Sequence, residues 1–229
     1  QDLPQYGYYH KDVPGTTINY DWPTQKQHLI DNGYKIVNEP TVPSTIPDKP
    51  QTITITVEHD VVPDNNTDHK HTPGTLINPQ DPNGPKWPTK DNFTKDYTYT
   101  VNFNDQNGNK VADPQHQVST WNRTVYVDKV TGEIKPDQST PWTPDKPNYG
   151  NINVPVVNGY VANKTSKNGS PVSNILSGPK TEQKDTTDTV TYNTVGKIVP
   201  VDPSGKPIPG AEQPKYINDP KDPTKVTPN

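Results

Sequence analysis

Residues 97–112 read Tyr97-Thr98-Tyr99-Thr100-Val101-Asn102-Phe103-Asn104-Asp105-Gln106-Asn107-Gly108-Asn109-Lys110-Val111-Ala112. Large apolar side chains occupy every second position from Tyr97 to Phe103, the period of a strand that buries one face. Asn107-Gly108 follows, a dipeptide that tolerates the positive φ angles of a tight hairpin turn. A long strand, a turn and a returning strand are therefore expected here. Further strands are expected at 123–127, 152–154, 159–161 and 187–193, with turn signals at Thr131-Gly132 and Asn168-Gly169. Together they form a β-rich ordered stretch over residues 94–195.

A second ordered stretch lies N-terminal to it. Thr24 to Gly33 has the marks of a short helix: a polar residue ahead of it to cap it, Pro23 for its first turn and Gly33 for its stop. A helix of roughly ten residues is too short to stand alone and needs a packing partner. Strands are expected on its C-terminal side, at Tyr34–Asn38 and over 51–59, where Ile53, Ile55 and Val57 share one face. Strand and helix in this order describe a small α+β module. Gly33-Tyr34-Lys35 and Gly159-Tyr160-Val161 stand in comparable places, each ahead of a Thr-rich alternating strand, so the two stretches read as modules of related design.

Between and after them the pattern fades. Residues 61–92 contain Pro63, Pro73, Pro79, Pro82, Pro85 and Pro88, and the tail is equally rich in proline. Proline removes ladder donors and stiffens the chain, so both segments read as extended spacers. Lone Trp87 is expected to dock on a neighbour. The expected division is a first module over 1–75, a Pro-rich linker over 76–93, a second module over 94–195 and a Pro-rich tail over 196–229, in an elongated arrangement.

Composition agrees. Of 229 residues 29 are Pro, 14 Gly and none Cys, and only 26% are hydrophobic. Val (22) and Ile (13) dominate over Leu (4), which suits pleated sheets and excludes one large helical core. No apolar run approaches the roughly 18 residues of a membrane span. Disulfides are impossible. The net charge is −4, and the basic residues are Lys apart from Arg123, which leaves little for nucleic acid to bind. The chain opens on Gln1 with no Met and no leader, and so reads as an internal or processed segment.

Three blocks carry a family resemblance: Ile77 to Pro88 (INPQDPNGPKWP), Gly196 to Gly210 (GKIVPVDPSGKPIPG) and the hairpin Tyr99 to Gly108. Together they resemble a repeat unit of the mucus-binding, MucBP-type surface adhesins of lactobacilli, over essentially the whole chain. The resemblance implies two β-grasp (ubiquitin-like) modules per repeat and a secreted protein anchored in the bacterial cell wall. It also implies host mucin glycoproteins or glycans as partners, sometimes immunoglobulins. The chain departs from the pattern at its front, where residues 1–15 lack the family's opening hairpin.

Chemistry beyond binding has little footing. No nucleophile–base motif, phosphate loop or tight metal spacing is present, so an enzyme is not expected. Of the six histidines only His59, His69 and His71 cluster, in a segment that reads as solvated linker. Asp105-x-Asn107-x-Asn109 resembles the start of a calcium loop, but the twelfth residue is His116 and not Glu, so a hairpin turn explains it better. No cofactor is expected; a weakly held calcium ion at such Asp-rich turns is the one exception. Sugars are recognised by aromatic faces with hydrogen-bonding neighbours. The candidates are Trp121, Trp142, Tyr149 and Tyr160, each with core filling as its competing role. The expected function is a monomeric repeat, one of many in tandem, that holds mucin by many weak contacts. Host-protein binding at an exposed sheet edge and a plain spacer role are the alternatives.

Overall fold

The computed structural model describes residues 2–68 and 70–228, so His69 of the histidine cluster lies outside the described residues. Along the chain come helix α1 (Trp22–Asp31) and strands β1 (Tyr34–Asn38), β2 (Thr56–His59), β3 (Val61–Asp64), β4 (Thr94–Asp105), β5 (Lys110–Asn122) and β6 (Val125–Asp128). The strands β7 (Thr143–Pro144), β8 (Ile152–Asn153), β9 (Tyr160–Ala162), β10 (Ile175–Leu176), β11 (Thr186–Thr194), β12 (Tyr216–Asn218) and β13 (Val226–Pro228) follow. The protein is β-rich with a single short α-helix among the described residues, and no helix is long and apolar enough to cross a membrane. The chain divides into two compact units: residues 1–95 with 122–142, and residues 96–121 with 143–229.

In the first unit α1 is capped by Asp21, whose carboxylate accepts from the Thr24 N–H (3.2 Å) and hydroxyl (2.6 Å). Leu29 is its buried residue. Gly33, at φ 88°, turns the chain into β1, which pairs antiparallel with β2. The ladder is shorter than the alternation over 51–59 suggests. Ile53 and Ile55 keep the half-buried face, but only Thr56–His59 is strand. The partner strand ends at Asn38, and Pro40 and Pro43 beyond it have no N–H to donate.

The prolines of the expected linker do not keep it extended and apart. β3 pairs antiparallel with β6, Val62 opposite Val127. Leu76 and Lys86 form a bridge, with Ile77 N–H donating to the Pro85 carbonyl (2.9 Å) and Trp87 N–H to the Thr75 carbonyl (2.8 Å). A proline cannot donate, but its carbonyl accepts, and Pro85 is used in that sense. Ile77, Trp87 and Ile134 then pack on buried Phe93, Val125 and Val127. Residues 122–142, expected in the second module, thus belong to the first unit because β6 completes the β3 ladder.

Asp128 closes that ladder. Its side chain is 3% exposed and accepts from Lys135 Nζ (3.1 Å) and the Val130 N–H (3.0 Å), with His59 Nδ1 at 2.8 Å. Burial pushes its pKa up, but the bonds from His59, Lys135 and Val130 outweigh that and hold it below the usual carboxylate range. A depressed folded-state pKa adds stability above the unfolded value, near 3.9, and that stability is lost as pH falls through the folded value. The first unit is therefore expected to melt progressively earlier below about pH 4, and Asp128→Asn to flatten that dependence. Thermal melts from pH 6 to pH 3 check it; equal slopes in both proteins would remove Asp128 from the account.

The second unit is built on a five-stranded sheet in the order β7-β5-β4-β11-β9. The β4–β5 hairpin turns at Gly108 (φ 87°), where the Asp105 carboxylate accepts from Asn107 and Asn109 N–H, both at 2.8 Å. β11 lies parallel to β4, Val190 opposite Phe103, and antiparallel to β9. The alternation quoted first sets the core: Tyr99, Val101 and Phe103 from β4 meet Val190 and Tyr192 from β11, with Ile152, Val154 and Leu176 beside them. Burial lifts the Tyr99 hydroxyl to about 12. The Tyr192 hydroxyl donates to the Pro155 carbonyl at 2.6 Å.

The tail, expected as an extended spacer, is also folded. β12 and β13 pair, Pro223 is fully buried, and its carbonyl accepts from Ala162 N–H of β9 at 2.8 Å. The Thr224 hydroxyl and Lys225 beside Asp222 hold that carboxyl at about 2.

Candidate functional site

In the first unit Trp142 is half-buried under two cations. Arg123 Cζ stands 4.7 Å from its ring centroid and Lys95 Nζ 5.3 Å. The local fold sets this up. Arg123 follows β5, its N–H donates to the Phe93 carbonyl (3.0 Å) and its Nε to the Asn92 carbonyl (2.7 Å). Thr140 N–H donates to the Thr124 carbonyl (2.9 Å) and Thr124 N–H to Thr140 Oγ1 (2.8 Å), which lays residues 140–142 alongside 123–124. A ring under a guanidinium gains roughly 0.5–2 kcal/mol and is held in one orientation. An aromatic plane with fixed donors beside it suits the apolar face and hydroxyls, or carboxylate, of a sugar.

The same unit holds a cleft of about 480 Å³ lined by Tyr20, Trp22, Glu39, Thr41 and Ser44 among others. Trp22 Nε1 donates to Glu39 Oε1 (2.8 Å) and Lys26 Nζ to Glu39 Oε2 (2.6 Å). Hydrogen bonds from Lys26, then Trp22, lower the Glu39 pKa. Its volume lies in the ~300–1,000 Å³ range of small-ligand sites.

The other aromatic candidates sit in the second unit. Trp121 is half-buried near the end of β5, and its Nε1 is buried without a hydrogen-bond partner among the described residues. Tyr149 is a core side chain, 4% exposed, tilted against Tyr99 at 5.1 Å with its hydroxyl donating to the Tyr97 carbonyl at 3.3 Å. Tyr160 is half-buried against the same core. Lys146 Nζ stands 6.0 Å from the Tyr149 ring centroid, whereas Trp142 carries two cations, both closer to its ring. Neither of these, Arg123 or Lys95, was among the expected binding residues; the signal for the first was its being the single arginine of the chain. Trp22 and Tyr20 were missed as well, with Tyr20-Asp21-Trp22-Pro23 at the start of the helix as their trace.

His59 and His71, the described members of the cluster, are not free linker residues: His59 Nδ1 lies 2.8 Å from Asp128. His71 stacks on Trp87 at 3.6 Å and places Nε2 3.0 Å from buried Asp64, so Trp87 does dock, and onto a histidine. Among the described residues no group of three or more His, Asp or Glu is arranged to hold a metal ion.

Residues 88–196 match the family model described as the Muc B2-like domain, a span that contains Lys95, Trp121, Arg123, Trp142, Tyr149 and Tyr160. No curated protein matches the chain. Among solved structures the chain is similar to the one titled crystal structure of Mub-RV: 20% identity, 80% of this chain and 87% of that one, TM-score 0.49. It is also similar to a type 2 repeat of the mucus binding protein MUB from Lactobacillus reuteri, with 19% identity, 81% and 88% coverage and TM-score 0.48. A MucBP domain of an adhesion protein from Pediococcus pentosaceus aligns with 44% of this chain and 98% of its own, at 24% identity and TM-score 0.34.

Proposed function

We propose that the chain, whose residues 88–196 match the model of the Muc B2-like domain, is a mucus-binding repeat of a bacterial cell-surface adhesin, and that it holds mucin glycans at Trp142. The observation that carries the reading is the Trp142 ring fixed beneath Arg123 and Lys95, inside the matched span. The ring offers its plane to the apolar face of a sugar, and the two cations offer donors to hydroxyl or acidic oxygens. Contact areas of this kind are small, so each is weak. Tandem repeats on one secreted, wall-held chain raise avidity by turning later contacts into intramolecular ones. The task is binding, with no turnover. We read the second unit as a β-grasp relative, on the support of its hairpin and the parallel β4–β11 pair, although no α-helix lies within it among the described residues.

Trp142→Ala is expected to weaken retention on immobilised mucin about five- to tenfold per repeat, on the order of 1 kcal/mol of lost ring contact. The loss should compound in a tandem array, and Trp142→Phe should keep most of the binding. Unchanged retention by the alanine variant in both formats would sink the assignment.

A further inference from the structure

The Trp142 ring stands at the base of a hairpin that the first unit holds at both ends. Residues 123–142 fold back on themselves: Val127 bridges Ile134, Lys135 N–H donates to the Tyr126 carbonyl (2.8 Å) and Thr140 N–H to the Thr124 carbonyl (2.9 Å). At the tip Gly132 N–H donates to the Asp128 carbonyl at 2.7 Å. These bonds belong to the hairpin alone. A second set ties it to the rest of the unit. At the base, Arg123 N–H and Nε donate to the Phe93 and Asn92 carbonyls, and Lys95 reaches over Trp142. Along its length β6 pairs with β3, from Val61 opposite Asp128 to Asp64 opposite Val125. At the tip, Lys129 N–H donates to the Asp60 carbonyl (3.0 Å) and Lys129 Nζ to the Asp60 carboxylate (2.9 Å), while the Asp128 carboxylate meets His59 (2.8 Å).

The two sets differ in what an opening breaks. The hairpin can lift from β3 as one piece with its own bonds intact, the form that local opening takes in folded chains. Lifting carries Trp142 and Arg123 away from Lys95 and from the Asn92 and Phe93 carbonyls. The ring then keeps its guanidinium but loses the second cation and the anchors that orient the first. The complete site therefore exists only while the hairpin is seated. Base and tip are joined by six residues, Arg123 to Lys129, about 20 Å of extended chain. Val125 and Val127 on that stretch pack on Phe93. A packed element of this kind moves between discrete seats and does not deform by degrees.

We propose that the hairpin of residues 123–142 is a two-position element that couples the Trp142 site to the β3–β6 ladder. A ligand on the ring holds the hairpin seated, and contacts at its tip set the fraction of molecules able to bind. The ligand half of this coupling rests on Trp142 being the glycan site; the coupling of base to tip does not. Such coupling is reciprocal. A ligand that requires the seated form favours it over the lifted one by a factor of one plus the ratio of its concentration to its dissociation constant, about elevenfold at ten times that constant. In turn, the apparent dissociation constant rises as the seated fraction falls.

Hydrogen exchange on the full chain tests it with two reporters in one hairpin: the Lys129 amide, bonded to Asp60 outside it, and the Lys135 amide, bonded to Tyr126 inside it. Without ligand, Arg123→Met at the base loses the Asn92 bond and should speed exchange of Lys129 at the tip about three- to tenfold. Lys95→Met loses only its contact with the ring, leaves the fold intact and should speed it about two- to fivefold. Lys135 should stay within about twofold in both. With oligosaccharides released from mucin, at ten times their half-saturation concentration, Lys129 and the β3 amides should exchange about tenfold more slowly, while the α1 amides of the same unit keep their rates. Gly33→Ala, whose added carbon meets the Lys129 backbone, should lower mucin retention in proportion to the seated fraction that exchange reports. Unchanged Lys129 exchange in both base variants would overturn the proposal. So would oligosaccharide binding that leaves Lys129 as it was, or that slows α1 equally. Oligosaccharides that do not bind the unaltered chain at all would overturn the ligand half through the glycan reading, and the base variants, still loosening Lys129, would tell that failure apart.

Discussion

Phe103→Ala is expected to lower the melting temperature of the second unit by roughly 12–20 °C. The side chain is fully buried near the end of β4, stands opposite Val190 in the parallel register and meets the Tyr192 ring edge-on at 6.4 Å. Truncating a buried phenylalanine costs about 3–5 kcal/mol, because lost transfer energy is joined by a cavity that the neighbours fill only in part. At a domain of about this size each kcal/mol moves the midpoint by roughly 4 °C. Here the neighbours have little room to collapse, since Tyr192 is tied to the Pro155 carbonyl and Tyr149 to the Tyr97 carbonyl. Calorimetry gives the shift directly. Val118→Ala on β5, where the side chain is 45% exposed, should move the midpoint by only a degree or two, within the ±0.5 kcal/mol of ordinary surface changes. A Phe103 shift as small as that control would mean that this core is not what holds the unit together.

Gly33→Ala is the second large effect, and it arises from two independent causes. At φ 88° an L-residue with a Cβ costs roughly 1–2 kcal/mol. The added carbon would also stand 2.4 Å from the Lys129 carbonyl carbon and 2.6 Å from the Val130 nitrogen, both backbone atoms. That backbone is pinned in turn. Lys129 N–H donates to the Asp60 carbonyl (3.0 Å), Asp60 N–H donates to the Gly33 carbonyl (2.8 Å), and Lys129 Nζ bonds the Asp60 carboxylate (2.9 Å). The substitution is therefore expected to cost more than about 3 kcal/mol and to release β6 from β3, on the scale of the most damaging point changes. Gly159→Ala isolates the first cause, because φ is 81° there and nothing lies within 4 Å of the added carbon. It should cost about 1–2 kcal/mol. Hydrogen exchange at 61–64 and 125–128 separates the outcomes: equal, small losses in both variants would show that the close approach to Lys129 relaxes at little cost.

What the sequence discloses and what it hides follow the range of the interactions. The β4–β5 hairpin, β11 and α1 rest on local signals: alternation, an Asn-Gly turn, a capping residue and a stopping glycine. Each signal is read within about a dozen positions, and each element appears near its expected place, although the ladder partner of β11, β4, lies 87 positions upstream. β3 is different. Its partner β6 lies more than sixty positions away, and Val61-Val62-Pro63-Asp64 carries a proline that reads as a spacer. The tail fails to read for the same reason, since Pro223 is buried against a strand sixty residues upstream. Proline density reports which donors are missing, but not which carbonyls still accept. The candidate site divides likewise. Trp142 can be picked out as an aromatic residue, but Arg123 and Lys95 reach it only through the pairing of 140–142 with 123–124, which no local pattern encodes.

The parallel register of β4 and β11 has a mechanical consequence. β4 is entered at its start and β11 is left at its end, so a pull along the chain across the second unit, once the tail is drawn away from β9, moves the two strands past each other lengthwise. Every pair from Tyr99–Thr186 to Asp105–Tyr192 is then loaded in shear at the same moment, with no end from which to unzip. Resistance to force is set by the barrier to unfolding, and a ladder that must break all at once raises that barrier without any gain in equilibrium stability. On a surface swept by flow, such a unit would behave as a clamp as well as a contact.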